Sequence, residues 1–180
     1  MKTIGHHTVE NRNTFNYIKQ NGPFQTMDKN PYLGKGFYFW DNNYYFAKVW
    51  GNTRYNGNYV ICQATLHLDN EIFLDLVGNR ENIMYFEKLI KKLNRENWPI
   101  GKFIEFLKGK ELDEKFKGIF PFKAIRALDY DKDNFKKYKF AEGKSGYTSL
   151  RPVFIICLFE KTELLLSDFK IIYPIIKKRK

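Results

Sequence analysis

The apolar positions of this chain change their period several times, and each change marks an element. Residues 59 to 68 alternate, with Val60, Cys62, Ala64, Leu66 and Leu68 on one side and Tyr59, Gln63, Thr65 and His67 on most of the other. A period of two predicts a half-buried strand. Between Glu81 and Glu96 the spacing of Ile83, Phe86, Ile90 and Leu93 is helical, with Lys88, Lys91 and Lys92 outside it, which predicts an amphipathic helix. A further helix is expected over Ile100 to Leu107. The continuous apolar run Val153 to Phe159 is too short for a helix and reads as a central strand.

The remaining segments follow from punctuation. Residues 3 to 8 form a short strand or strand end. A helix is expected from about Asn11 to Gln20, capped by Asn11 or Asn13, with Phe15 and Ile18 on one face and Gly22 as its stop. Phe24 to Tyr32 is polar and Pro-flanked, hence a loop. Gly36 to Trp40 is a strand, after which Asp41 can cap a helix carrying Phe46, Ala47 and Trp50. Residues 109 to 118 are charged and loop-like, Ile119 to Leu128 suits a strand after Pro121, and Asp129 to Lys144 is polar. Asp168 to Ile176 gives a last strand with Pro174 near its edge, followed by the basic tail Lys177 to Lys180. Strands without regular helix alternation predict an α+β domain over residues 1–176.

Composition changes this picture in two ways. The 180 residues, 43% apolar and 18% aromatic, supply one core rather than two. Lys and Arg exceed Asp and Glu by 31 to 20, a net charge of +11, which favours a polyanionic partner. Lys91, Lys92, Lys136, Lys137 and the tail from Lys177 are the candidate backbone contacts. Cys62 and Cys157 lie far apart in apolar runs, and His67 adds no ligand spacing, so neither a disulfide nor a zinc site is expected. No apolar run reaches the roughly 18 residues a bilayer span needs, and no leader-like segment is evident; a cytoplasmic setting is expected. Neither the dinucleotide fingerprint nor a P-loop occurs.

The candidate chemistry gathers around Leu33-Gly34-Lys35-Gly36-Phe37-Tyr38-Phe39-Trp40. Two glycines ahead of an aromatic strand make a turn that lets backbone approach a flat ligand. With Gly5-His6-His7-Thr8 upstream and the strand around Ile155 downstream, this order resembles the His-Tyr-Glu branch of the ADP-ribosyltransferase superfamily, which includes the poly(ADP-ribose) polymerases and diphtheria toxin. The family's first motif is commonly Tyr-His-Gly-Thr and its second Gly-x-Gly-x-Tyr-Phe. Phe73-Leu74-Asp75-Leu76 adds a likeness to a bacterial group of small transferase domains.

The resemblance implies a split β-sheet core and NAD as co-substrate. It implies His6 on the ribose 2'-hydroxyl, Tyr38 stacked on nicotinamide, and backbone around His7 on the carboxamide, with Thr8, Gly36, Phe37, Phe46 and Trp50 completing the NAD site. Cleaving the glycosidic bond builds an oxocarbenium-like ribose, which needs fixed hydroxyls and exclusion of water. Ile155 stands where the family carries its glutamate, so the triad reads His-Tyr-Ile, a pattern implying transfer of a single ADP-ribose unit. Glu142 and Glu160 are the nearby carboxylates that a folded-back loop would bring in. His7 replaces the usual glycine and is a further candidate general base, and Phe46 replaces a serine. The implied function is mono-ADP-ribosylation of a nucleic acid, such as RNA, or of a protein, by a toxin or antiphage effector with an antitoxin as possible partner. The competing expectation is an inactive module of the same fold that binds NAD, ADP-ribose or nucleic acid.

Overall fold

A computed structural model describes residues 1–129, 137–163 and 165–174. Within them the chain is an α+β domain built on a seven-stranded mixed sheet. The strands are β1 (Lys2–Glu10), β2 (Phe37–Asp41), β3 (Tyr59–His67), β4 (Phe73–Asp75), β5 (Ala124–Asp129), β8 (Val153–Leu158) and β9 (Leu166–Tyr173). Their spatial order is β4-β5-β8-β2-β1-β3-β9. Only the β4–β5 pair is parallel. A separate hairpin pairs β6 (Lys137–Lys139) with β7 (Tyr147–Ser149). Lys136, residues 175–176 and the tail 177–180 lie outside the described residues.

Four helices cover the sheet: α1 (Phe15–Asn21), α2 (Tyr44–Tyr55), α3 (Arg80–Lys92) and α4 (Ile100–Glu111). On one face Trp40, Ile61, Leu74, Ile125, Ile155 and Cys157 meet Ala47 of α2, Phe86 and Leu89 of α3, and Phe103, Ile104 and Leu107 of α4. On the other, Phe39, Leu66 and Ile156 form one cluster, and Ile18 of α1 packs with Val60 and Cys62 in another. Burying side chains of this size is worth roughly 2 kcal/mol each before chain entropy is subtracted, and the sheet is buried on both faces for that reason.

Several boundaries differ from the sequence expectation, each for a physical cause. β1 runs on to Glu10, and the Asn11 N–H bonds the Asn58 carbonyl at 3.1 Å, so α1 starts later, capped by Thr14 rather than Asn11 or Asn13. Asp41 does not cap α2, because its carboxylate already accepts from Thr3 Oγ1 at 2.6 Å and pairs with Arg126 at 2.7 Å; Asn43 caps instead. β3 is buried on both faces rather than one, since Tyr59 and Thr65 are covered as well. α3 ends at Lys92, just before Asn94 turns left-handed (φ 51°). α4 extends to Glu111, whose carboxylate accepts from the Gly118 and Phe120 amides, and the segment expected as loop holds a short 3₁₀ turn at Glu114–Phe116. β8 is central, between β2 and β5, as expected.

Candidate functional site

The sheet is split at one place. β1 and β2 pair only at Gly5–Asp41 and His6–Trp40, and then part. β2 meanwhile stays paired with β8 along Phe37–Trp40, and β1 stays paired with β3 to its end. Into the gap opens a cleft of about 390 Å³, within the range of small-molecule sites. Its walls are the end of β1 (His7 to Glu10), β2 (Tyr38 to Trp40), the segment Phe24–Asp28 with Pro31 and Tyr32, the last turns of α2 (Trp50, Arg54, Tyr55), and Ile155.

The Gly34–Gly36 turn positions β2 against both neighbours. Gly34 is left-handed (φ 83°), and a side chain on Gly36 would run into Cys157 Sγ and the Leu158 carbonyl. The turn is locked by Tyr38, whose hydroxyl donates to the Gly34 carbonyl at 2.7 Å and accepts from the Leu33 N–H at 2.8 Å. Burial pushes the Tyr38 phenol far above its ordinary range. The ring is therefore a neutral, fixed plate on the cleft wall, not an acid or base. Burial likewise pushes its neighbour across the β2–β8 ladder, Cys157, up to about 12, which excludes a ready thiolate.

His7 closes the gap where the ladder stops. Its Nε2 accepts from the Phe24 N–H at 3.2 Å, so the ring proton sits on Nδ1 and is donated to the Tyr38 carbonyl at 2.9 Å. One imidazole thus ties β1, β2 and the Phe24 segment together. Burial lowers its pKa to about 4. With both nitrogens engaged it is a strap, and the same ring was the one expected as a further candidate general base. The backbone around His7 is divided between the two neighbouring strands. The Ile4 carbonyl accepts from Asn42 N–H at 2.7 Å, on the β2 side, and backbone groups alternate along a strand. Those of Thr8 point into the split, while those of His7 face Cys62 on β3. Thr8 Oγ1 is held by the Ala47 carbonyl of α2 at 3.0 Å.

Of the residues expected at the site, the structure brings together His7, Thr8, Tyr38, Trp50 and Ile155. It leaves four outside. His6 is buried beside Tyr44 at the start of α2, its Nδ1 without a partner and its pKa lowered by burial. Phe37 packs with the cluster on the opposite sheet face. Phe46 packs edge-on against Trp40, 4.7 Å between centroids. Gly36 acts only by its smallness. Ile155 is an apolar wall with 6% exposure. Neither distant carboxylate folds in: Glu160 pairs with Lys123 at 3.0 Å, and Glu142 is exposed in a turn outside the cleft.

Four charged wall residues were not singled out from the sequence. Arg12 pairs with Glu10 at 2.7 Å and Arg54 with Asp28 at 2.7 Å, all of them lining the cleft. Arg54 lies one helical turn beyond Trp50, the single cue that pointed to it. Among the described residues no group of three or more His, Cys, Asp or Glu suits a metal ion, and no helix is long and apolar enough to cross a membrane. Comparison with protein-family models, with curated proteins and with solved structures gave no match.

Proposed function

We propose that this protein is an NAD-dependent mono-ADP-ribosyltransferase acting on a macromolecule, with NAD bound in the cleft at the split. The observation that carries the reading is the parting of β1 and β2 directly beside Tyr38, which leaves a flat aromatic plate on the β2 side of the gap and the unpaired Thr8 backbone facing it from β1. In this reading nicotinamide lies on Tyr38 and its carboxamide meets the Thr8 backbone. Trp50 closes the aromatic side, and Arg12 and Arg54 take the diphosphate by charge-assisted hydrogen bonds. His7 positions the wall, and His6 supports it from under α2 rather than touching ribose.

The reaction breaks the bond between ribose C1' and the nicotinamide nitrogen. An acceptor heteroatom forms the new bond to C1', its proton is released, and nicotinamide leaves with the bonding pair. Glu10 and Asp28 are the carboxylates lining the cleft, and they are the groups available to receive that proton. An apolar Ile155 in the slot of the family glutamate fits transfer of a single unit. The same apolar residue favours a second reading, an NAD-binding module without turnover. To separate the two, the protein is incubated with cell lysate and NAD radiolabelled in its adenylate phosphate, and the products are digested with nuclease and protease in parallel. Transferase activity gives label in one macromolecular fraction, lost in Tyr38→Ala. NAD that binds while every fraction stays unlabelled and no nicotinamide appears sinks the enzyme and leaves the module.

A further inference from the structure

The helix beside the cleft carries a regular series of rings and cations on its outer edge. Trp98, just before α4, and Lys102, Phe106 and Lys110 recur every four residues and so share one side of the helix. The Arg95 guanidinium lies 4.5 Å from the Trp98 ring centre and 5.6 Å from that of Phe106. Lys102 Nζ stands 4.4 Å over Trp98, and Lys110 Nζ lies 5.7 Å from Phe106 and 4.6 Å from Phe116. Three rings thus alternate with three cations.

This edge is only partly spent on the core: Trp98 and Phe106 back onto it, Phe106 stacking on Phe103 at 6.4 Å, and keep their outer sides toward the cations. α4 fills the interior with Phe103, Ile104 and Leu107, whereas Trp98 and Phe106 are half-buried and Phe116 is 38% exposed. The local charge is positive, nine Lys and Arg against five Asp and Glu over residues 88–117. Two of those five are engaged by local partners: Glu105 accepts from the Lys35 amide at 2.8 Å and pairs with Lys108 at 2.8 Å, and Glu111 accepts from Gly118 and Phe120. We infer that the Arg95–Trp98–Lys102–Phe106–Lys110–Phe116 edge of α4 is a docking track for single-stranded nucleic acid. A duplex conceals its base faces in the stack, whereas a single strand offers flat bases and phosphates in alternation, which is the order of rings and cations here. A base takes the ring face that a lysine ammonium covers, and the freed lysine reaches a phosphate. An acidic peptide would meet the cations and leave the rings unused.

The track adjoins the cleft. Lys108 Nζ of α4 donates to the Lys35 carbonyl at 3.1 Å, and Gly101 rests against the carbonyls of Pro31 and Tyr32, both residues of the cleft wall. A strand lying along the roughly 18 Å of α4 is led to the mouth. Resting on the transferase reading, this makes single-stranded nucleic acid the acceptor class.

The test measures binding without NAD, by fluorescence anisotropy of labelled single-stranded RNA and DNA, the matching duplex, and polyglutamate. The expected result is single-strand binding about tenfold or more tighter than duplex, falling steeply with salt. The double variant Lys102→Glu/Lys110→Glu, with its fold checked by circular dichroism, loses about tenfold or more. Trp98→Leu loses about tenfold at an unchanged salt slope. Equal affinity for duplex, preference for polyglutamate, or unchanged binding in the double variant overturns the proposal. Nicotinamide release measured on the same proteins keeps the two readings apart. Release without single-strand binding defeats the track alone, and binding without release defeats the transferase alone.

Discussion

β2 has two edges, and they are built differently. Toward β8 four consecutive pairs join Phe37–Trp40 to Ile155–Leu158; all four β8 side chains are apolar and buried, as are Phe39 and Trp40 of β2. Toward β1 two pairs form, and then His7, Thr8 and Tyr38 replace the ladder with side-chain hydrogen bonds around a cleft. The sealed edge gains from burial and continuous backbone pairing, which leave no gap between the two strands. The open edge gives up backbone pairs, and a few directed polar contacts hold its shape while leaving backbone groups facing the gap. Continuous pairing and an open cleft are thus assigned to opposite edges of one five-residue strand.

The sealed edge is the easier to break. Gly36→Val drives a branched side chain into Cys157 and the Leu158 carbonyl, and should cost about 3 kcal/mol. Its readout is a large fall in the urea midpoint or loss of soluble protein. A melting curve equal to wild type would show that this edge yields. Arg126→Ala comes next. Arg126 on β5 pairs with Asp41 of β2 at 2.7 Å and Asp75 of β4 at 3.7 Å, and the Asp41 side chain is only 5% exposed. Removing the cation strands a buried carboxylate, for an expected loss of about 3 kcal/mol. Arg126→Lys should recover part of it.

The open edge is tested by pH. His7 titrates near 6.5 when unfolded and near 4 when folded. Over that window the unfolded chain binds the additional proton, so stability present above pH 6.5 is lost as pH falls toward 4, by on the order of 3 kcal/mol. Urea midpoints at neutral pH and at about pH 4 should show this fall in wild type and a flatter profile in His7→Gln. An unchanged slope would mean that the strap is not what holds the split. The smallest effect on stability belongs to the mouth. Arg54 and Asp28 are both about half exposed, so Arg54→Ala should leave stability within about 0.5 kcal/mol while weakening NAD binding about tenfold. Calorimetric titration separates the two quantities.

The sealed edge was also the more legible. The apolar run at Val153–Phe159 announced a central strand because burial on both faces selects such a run. The split strands were legible as strands and a split core was implied by the family resemblance, but the place where they part was not legible, since it depends on a histidine ring bonding a carbonyl 31 positions away. For the same reason sequence order favoured His6, whereas the alternation of β1 directs His7 into the cleft and His6 under α2. Arg12 and Asp28 went unseen because they belong to irregular segments whose positions follow from tertiary contacts alone, and Arg54 because its partner Asp28 lies 26 positions away. The α4 edge was hidden by its lysines, each indistinguishable in sequence from an ordinary surface charge until ring distances are known.

Tyr38 is held at its hydroxyl by two hydrogen bonds and at its carbonyl by His7. Its rotamer is chosen before any ligand arrives. A flat molecule settling on this ring immobilises nothing that is not already still, so the ordering entropy that normally opposes association is absent at this contact. Tyr38→Phe keeps the ring but loosens its tether. The toll of that change should therefore fall in the entropy of ligand binding rather than in its contact enthalpy.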